Sequence, residues 1–160
     1  VMDNEIYGLT KGQPSPTSPM GMERKASPYG TVDSPIDPIQ MALSYNTSFV
    51  ARGFSSKPKE VVELIKAAMQ HPGFAFVQVL SPCVSFANTY DLFREITAPL
   101  PENHDVTDIT AAMQLAQSQA PLYRGIFHHS VRPGYSLQTT EIQQRAPKVT
   151  MAELMERYER

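Results

Sequence analysis

The chain has 160 residues, with 14 Lys and Arg against 16 Asp and Glu, a formal charge of −2. Its length corresponds to one domain of roughly 100–200 residues, and a hydrophobic fraction of 41% supplies a core and excludes wholesale disorder. The near-neutral balance excludes a polyanion-binding surface as the default, so no nucleic-acid partner is expected. The longest apolar stretch, Phe74 to Leu80, is far short of the roughly 20 residues of a membrane helix, so no membrane partner is expected either.

Val1-Met2 reads as the end of a buried strand, followed at once by Asp3-Asn4-Glu5. With no Met at position 1 and no signal-peptide pattern, the chain is expected to be the C-terminal part of a longer domain. Six of the fourteen prolines fall between Gln13 and Pro38. Proline fixes φ and removes a donor, so this stretch is neither regular helix nor central strand. Its Met20, Met22, Tyr29, Val32 and Ile36 are apolar content that a free linker lacks, and the methionines are expected to pack the loop. An ordered loop of this length is usually functional.

Asp37 as N-cap with Pro38 at the first helical position opens a helix to about Tyr45. Ser48 to Arg52 reads as a short strand. From Pro58 a helix runs to about Gln70, with an apolar stripe of Val61, Leu64, Ile65, Ala68 and Met69. His71-Pro72-Gly73 stops it. Phe74 to Leu80 is a nearly continuous apolar run of strand length, as in a parallel strand covered on both faces. The loop Ser81-Pro82-Cys83 follows. Thr107 is expected to cap a helix to about Gln119, Leu122 to Phe127 to form a strand, and Ser136–Ala146 and Thr150–Tyr158 to form terminal helices. The last carries a Thr150–Glu153 capping box. This alternation predicts an α/β fold on a parallel sheet.

Ligands in such sheets lie beyond the C-terminal ends of the strands, which selects residues 3–18 and 81–85. The first segment offers an amide oxygen on Asn4, carboxylates on Asp3 and Glu5, Lys11, and glycines at 8 and 12. Hard oxygen donors suit Mg²⁺, and glycine-flanked backbone N–H groups suit an anion. On chemistry alone a solvated turn loop remains equally open. Cys83, the only cysteine, excludes an intrachain disulfide and fits a reducing compartment, the cytoplasm. Taken alone, it is either a small buried hydrophobe or a ligand. His71, His104 and the pair His128-His129 carry no catalytic assignment, because adjacent strand residues face opposite ways and chelate poorly.

The run Met2-Asp3-Asn4-Glu5-Ile6-Tyr7-Gly8-Leu9-Thr10-Lys11-Gly12-Gln13-Pro14-Ser15-Pro16-Thr17-Ser18 resembles the second half of the thiamine-diphosphate motif of 2-oxoacid:ferredoxin oxidoreductases, β subunit. The resemblance continues through Ser48-Phe49-Val50-Ala51-Arg52-Gly53 and His71-Pro72-Gly73-Phe74 to Ser81-Pro82-Cys83-Val84. It thins after Phe86 and returns at Tyr123-Arg124-Gly125-Ile126-Phe127 and Arg132-Pro133.

The resemblance implies a thiamine-diphosphate-binding α/β fold. Residues 1–38 would be the cofactor and Mg²⁺ loop, 48–86 a strand–helix–strand unit with the cysteine loop, and 107–160 the C-terminal helices and strand. It implies thiamine diphosphate, Mg²⁺ and a 4Fe–4S cluster as cofactors. Mg²⁺ would be held by the Asn4 side chain and the Ile6 carbonyl, together with the Asp of a Gly-Asp-Gly expected upstream of residue 1. Asp3 would support rather than ligate. Tyr7, Gly8, Leu9, Thr10 and Lys11 would line the diphosphate and substrate end. The Leu-Thr-Lys version of this loop resembles members that accept 2-oxoglutarate, and Lys11 would meet either the substrate's second carboxylate or the diphosphate. Cys83 would be one of four cluster thiolates, so the isolated chain is expected to hold no cluster and to be inactive.

The implied reaction is oxidative decarboxylation of a 2-oxoacid with coenzyme A, giving acyl-CoA, CO₂ and reduced ferredoxin. An α subunit and ferredoxin are the implied protein partners. Two rivals stay open at this point: a cluster-free thiamine-diphosphate lyase or synthase, and a non-catalytic remnant or scaffold subunit.

Overall fold

The computed structural model describes residues 1–158. In chain order its elements are strands β1 (Met2–Asp3), β2 (Ile6–Tyr7) and β3 (Gln13–Pro14), helix α1 (Pro38–Ser44), β4 (Phe49–Phe54), α2 (Pro58–Gln70) and β5 (Ala75–Leu80). There follow α3 (Tyr90–Ile96), β6 (Thr97–Pro99), α4 (Ile109–Ala116), β7 (Leu122–His129), α5 (Tyr135–Arg145) and α6 (Met151–Tyr158).

One five-stranded sheet runs in the order β1-β5-β4-β7-β6, and β2 pairs with β3 in a separate hairpin. β1, β5 and β4 are mutually parallel, β7 is antiparallel to β4, and β6 is parallel to β7. The α/β expectation holds, but the sheet is mixed rather than wholly parallel, because β6 and β7 both run opposite to β4. β4 is buried along its whole length. Its alternating side chains feed two layers. Phe49 and Ala51 pack with Leu64 of α2, and Val50 packs with Ile39 and Leu43 of α1, Ala112 and Ala116 of α4, and Phe127. A third group, Phe54, Leu80, Phe93 and Leu122, closes the carboxyl end of the strands.

Local signals explain most boundaries. Asp37 Oδ1 accepts from the N–H groups of Ile39 and Gln40 at 2.7 and 2.9 Å, and Pro38 takes the first helical position. His71 ends α2 in an extended conformation, as Pro72 requires of the residue before it. Other expectations need correction. Val1 and Met2 are exposed at the sheet edge rather than buried. The α2 stripe narrows to Leu64 with partly buried Ala67 and Ala68, while Ile65 and Met69 face outward. α4 is capped by Asp108, whose carboxylate accepts from Thr110 and Ala111, because Thr107 is itself bonded to Asp105. α3 and β6 have no counterpart in the sequence-based reading. Residues 19–36 fold on themselves through Gly21 N–H to Thr31 O and an Arg24–Ser27 bridge. Met20, Tyr29 and Val32 of this loop are exposed rather than packing it.

Candidate functional site

Because β1, β5 and β4 are parallel, their carboxyl ends, at Asp3, Leu80 and Phe54, lie at one end of the sheet. The loops that follow β1 and β5 therefore leave side by side. Ser81 N–H donates to Asp3 O at 2.7 Å and fastens the two exits together.

Beneath them runs a chain of buried polar contacts. Thr17 Oγ1 donates to Asp3 Oδ1 at 2.7 Å, and Gln78 Nε2 donates to Asp3 Oδ2 at 2.7 Å. Arg52 Nε donates to Gln78 Oε1 at 2.8 Å. Its Nη2 pairs with Asp37 Oδ2 at 3.1 Å, so the Arg52 pair and the α1 cap share one carboxylate. The guanidinium also lies 5.4 Å from the Phe127 ring centroid. Burial lowers the Arg52 pKa from its usual value, and Asp37 opposes that shift. Both carboxylate oxygens of Asp3 accept from protein donors, which suits a supporting group. Arg52, Gln78 and Asp37 are the residues that sequence reasoning left out of the site. The available signals were a Gln inside an apolar strand run and an Arg inside a buried one.

The loop after β1 is strained where it turns. Glu5 has φ 56° and Lys11 has φ 75°, conformations that cost a residue with a Cβ about 1–2 kcal/mol. Asn4 Oδ1 accepts from Ile6 N–H at 3.2 Å, and Ser18 Oγ donates back to Glu5 O at 2.5 Å. Ile6 is buried and pairs with Pro14. Pro14 has no N–H, so the ladder partner of Ile6 offers its carbonyl no donor. Glu5 and Asp3 line a cavity of about 270 Å³ with Asp37, Arg52 and Gln78. Burial, and then the Asp3 carboxylate, push the Glu5 pKa up to about 7. Tyr7, Leu9, Thr10 and Lys11 are exposed, and Lys11 makes no ion pair among the described residues.

The cysteine loop meets this turn. A methyl group placed on Gly8 would lie 3.5 Å from Cys83 Sγ and 3.9 Å from Asn4 Nδ2, and one on Gly12 would touch the Phe86 ring at 3.4 Å. The structure thus gathers Asn4, Gly8 and Cys83, with Cys83 a half-buried free thiol, while the side chains of Leu9 and Lys11 stand away in solvent. No group of three or more His, Cys, Asp or Glu suited to a metal occurs among the described residues.

The histidines lie elsewhere. His71 Nε2 is 2.8 Å from Ser48 Oγ, which lies 3.1 Å from Phe74 O. His71 and His129 rings meet edge-on at 5.2 Å beside Phe49. Ser48 and His71 thus tie the start of β4 to the end of α2. No helix among the described residues is long and apolar enough to cross a membrane.

Comparison with known proteins bears on the same residues. Residues 1–79 match the family of the thiamine pyrophosphate enzyme C-terminal TPP binding domain, and residues 83–144 match the C-terminal region of the pyruvate ferredoxin oxidoreductase beta subunit. The chain is 44% identical over 86 residues to the 2-oxoacid:ferredoxin oxidoreductase subunit beta of Saccharolobus solfataricus, covering 54% of this chain and 28% of that protein. It is 41% identical over 96 residues to the 2-oxoglutarate oxidoreductase subunit KorB of Mycobacterium tuberculosis, covering 59% and 26%. Among solved structures, a chain of the 2-oxoglutarate:ferredoxin oxidoreductase from Magnetococcus marinus, with 2-oxoglutarate, coenzyme A and succinyl-CoA bound, superposes with a TM-score of 0.86 at 41% identity. That match covers 90% of this chain and 50% of the other. The chain therefore spans half or less of the proteins it resembles here.

Proposed function

Because the chain belongs to the β-subunit family of the 2-oxoacid:ferredoxin oxidoreductases, we propose that it forms the cofactor-holding part of an enzyme acting on 2-oxoglutarate. The reaction is oxidative decarboxylation with coenzyme A, giving succinyl-CoA, CO₂ and reduced ferredoxin. The site is completed by an α subunit, and the assembly works in the cytoplasm.

The observation that carries this reading is the approach of Cys83 to Gly8 beside Asn4. It sets a thiol against the loop whose amide and carbonyl oxygens suit the metal of a diphosphate cofactor. Asn4 Oδ1 and the Ile6 carbonyl would hold the Mg²⁺ of the diphosphate. They fit because Asn4 Oδ1 has only a long bond to release and Ile6 faces a proline. Thiamine diphosphate supplies the electron sink that decarboxylation of a 2-oxoacid requires. Asp3, locked by Thr17 and Gln78, keeps the turn from collapsing inward. Lys11 meets the second carboxylate of the substrate, an ion pair that a monocarboxylate such as pyruvate cannot make. Cys83 would contribute one thiolate to a 4Fe–4S cluster, which needs four. The other thiolates and the third Mg²⁺ ligand come from outside these 160 residues, so the chain alone is inactive.

Two measurements on the assembled enzyme test this. Cys83→Ser abolishes the cluster's visible absorption while Mg²⁺-dependent thiamine diphosphate binding persists; an unchanged spectrum removes Cys83 from the cluster. Lys11→Ala raises KM for 2-oxoglutarate about tenfold or more and leaves KM for pyruvate nearly unchanged. An equal rise for both substrates assigns Lys11 to the diphosphate instead.

A further inference from the structure

A second cavity, about 490 Å³, opens beyond the carboxyl end of β4, between the start of α2 and α3. None of its lining residues belongs to the cofactor loop. Ser56, Lys57, Arg94, Thr97 and Arg124 line it, a wall of cations and hydroxyls. Lys57 is the N-cap of α2 but makes no side-chain cap, and Pro58 follows it. The N–H groups of Lys59 and Glu60 therefore lack intrahelical acceptors, at the positive end of a 13-residue helix.

The stronger sign is Arg124. It is 7% exposed, its Nη1 pairs with Glu60, and its Nε, like Glu60 Oε1, is buried with no hydrogen-bond partner. A buried guanidinium N–H left unmatched costs on the order of 1–3 kcal/mol, and an anion in the cavity would accept from it. Of the three cations, Arg124 pairs with Glu60 and Arg94 lies 4.0 Å from Asp91, so Lys57 leaves one net positive charge before the helix N-terminus is added. Lys57 makes no ion pair among the described residues.

We propose that this cavity is a binding site for a phosphate group, held by Arg124, Lys57, Arg94 and the N-terminus of α2. The group is either free phosphate or a phosphomonoester on a larger ligand. The site itself stands apart from the function proposed above; only the coenzyme A arm of its test rests on that reading.

The test is calorimetric titration of the assembled protein with inorganic phosphate, with coenzyme A and with 3′-dephospho-coenzyme A. Wild type is compared with the exposed-surface variant Lys57→Ala/Arg94→Ala and with Arg124→Lys, which keeps the Glu60 pair and removes Nε. Phosphate affinity falls about tenfold or more in both variants, with unchanged cofactor binding and melting temperature. If coenzyme A loses affinity in the variants while dephospho-coenzyme A does not, the phosphate is the one the nucleotide carries. If only inorganic phosphate responds, the site takes the free ion. No binding at millimolar phosphate, or phosphate binding indifferent to both variants, overturns the proposal, and neither result touches the Cys83 and Lys11 measurements.

Discussion

At the carboxyl end of the sheet, Thr17, Asp3, Gln78, Arg52 and Asp37 satisfy one another in a largely buried network, whereas α5 and α6 bury no residue at all. Both regions are rich in polar side chains, yet the first is fixed by contacts between segments far apart in sequence and the second by bonds within a few residues. In α6, Thr150 and Glu153 exchange side-chain and backbone bonds at 2.7–3.4 Å, and Met151, Met155 and Tyr158 remain exposed. The difference is one of cooperativity: removing one member of the buried chain strands its neighbours, while removing a cap loosens only its own turn.

Substitutions at the two places should therefore separate by size. Arg52→Ala leaves Gln78 and the carboxylate of Asp37 without their partner in a largely buried site, so it should cost about 3–5 kcal/mol in urea unfolding. A loss below about 1 kcal/mol would mean that water reaches the network and would erase the contrast. At the opposite end of the sheet, a Cβ on Gly73 would fall 2.5 Å from Ser48 Oγ and 2.9 Å from His71 Nε2. Gly73→Ala should cost about 1–3 kcal/mol by the same measurement, the signature of a packed region that lacks charges.

The next effect appears with pH. Burial lowers the pKa of His71 and of His128 below the usual 6.5, so the unfolded chain binds protons more readily than the folded one. Stability is then full above pH 6.5 and declines as pH falls toward the lowered values. Urea midpoints across this range should show that slope, and His71→Gln should flatten it; an unaltered slope would exclude His71 as its source. The smallest effect belongs to the arm. Glu153→Ala should cost a few tenths to about 1 kcal/mol of local helix stability, read as faster amide exchange in residues 151–158 with no change in global Tm. A shift in Tm would show that α6 is coupled to the core after all.

Much of this was legible in the amino-acid order where the controlling signal is local. Asp37-Pro38 announces α1, Pro58 and His71-Pro72 bound α2, and the Phe74–Leu80 run announces β5. α3 was not legible because Thr89 makes no capping bond. β6 was not, because three residues ending in proline form a strand only when the edge of β7 pairs with them. The Thr107 cap was misassigned because Asp105 and Asp108 compete for the same stretch of backbone and side-chain donors. Within the candidate site, Asn4 to Lys11 could be selected from their chemistry and their resemblance to a known motif. Arg52 and Gln78 could not, since a buried Arg in a strand reads as an oddity until its acceptors, 26 and 15 residues away, are in place.

By itself the sequence determined the α/β class, the main strands and helices and the polar turn after β1, since proline, glycine, caps and periodicity act within a few residues. Only the tertiary structure decided that β7 runs against β4, that Asp3 accepts from Thr17 and Gln78, and that Cys83 lies against Gly8. The last two depend on β1 aligning with β5 across 75 residues of chain, a pairing held by hydrogen bonds between segments far apart in sequence and not by any local preference of the residues that meet there.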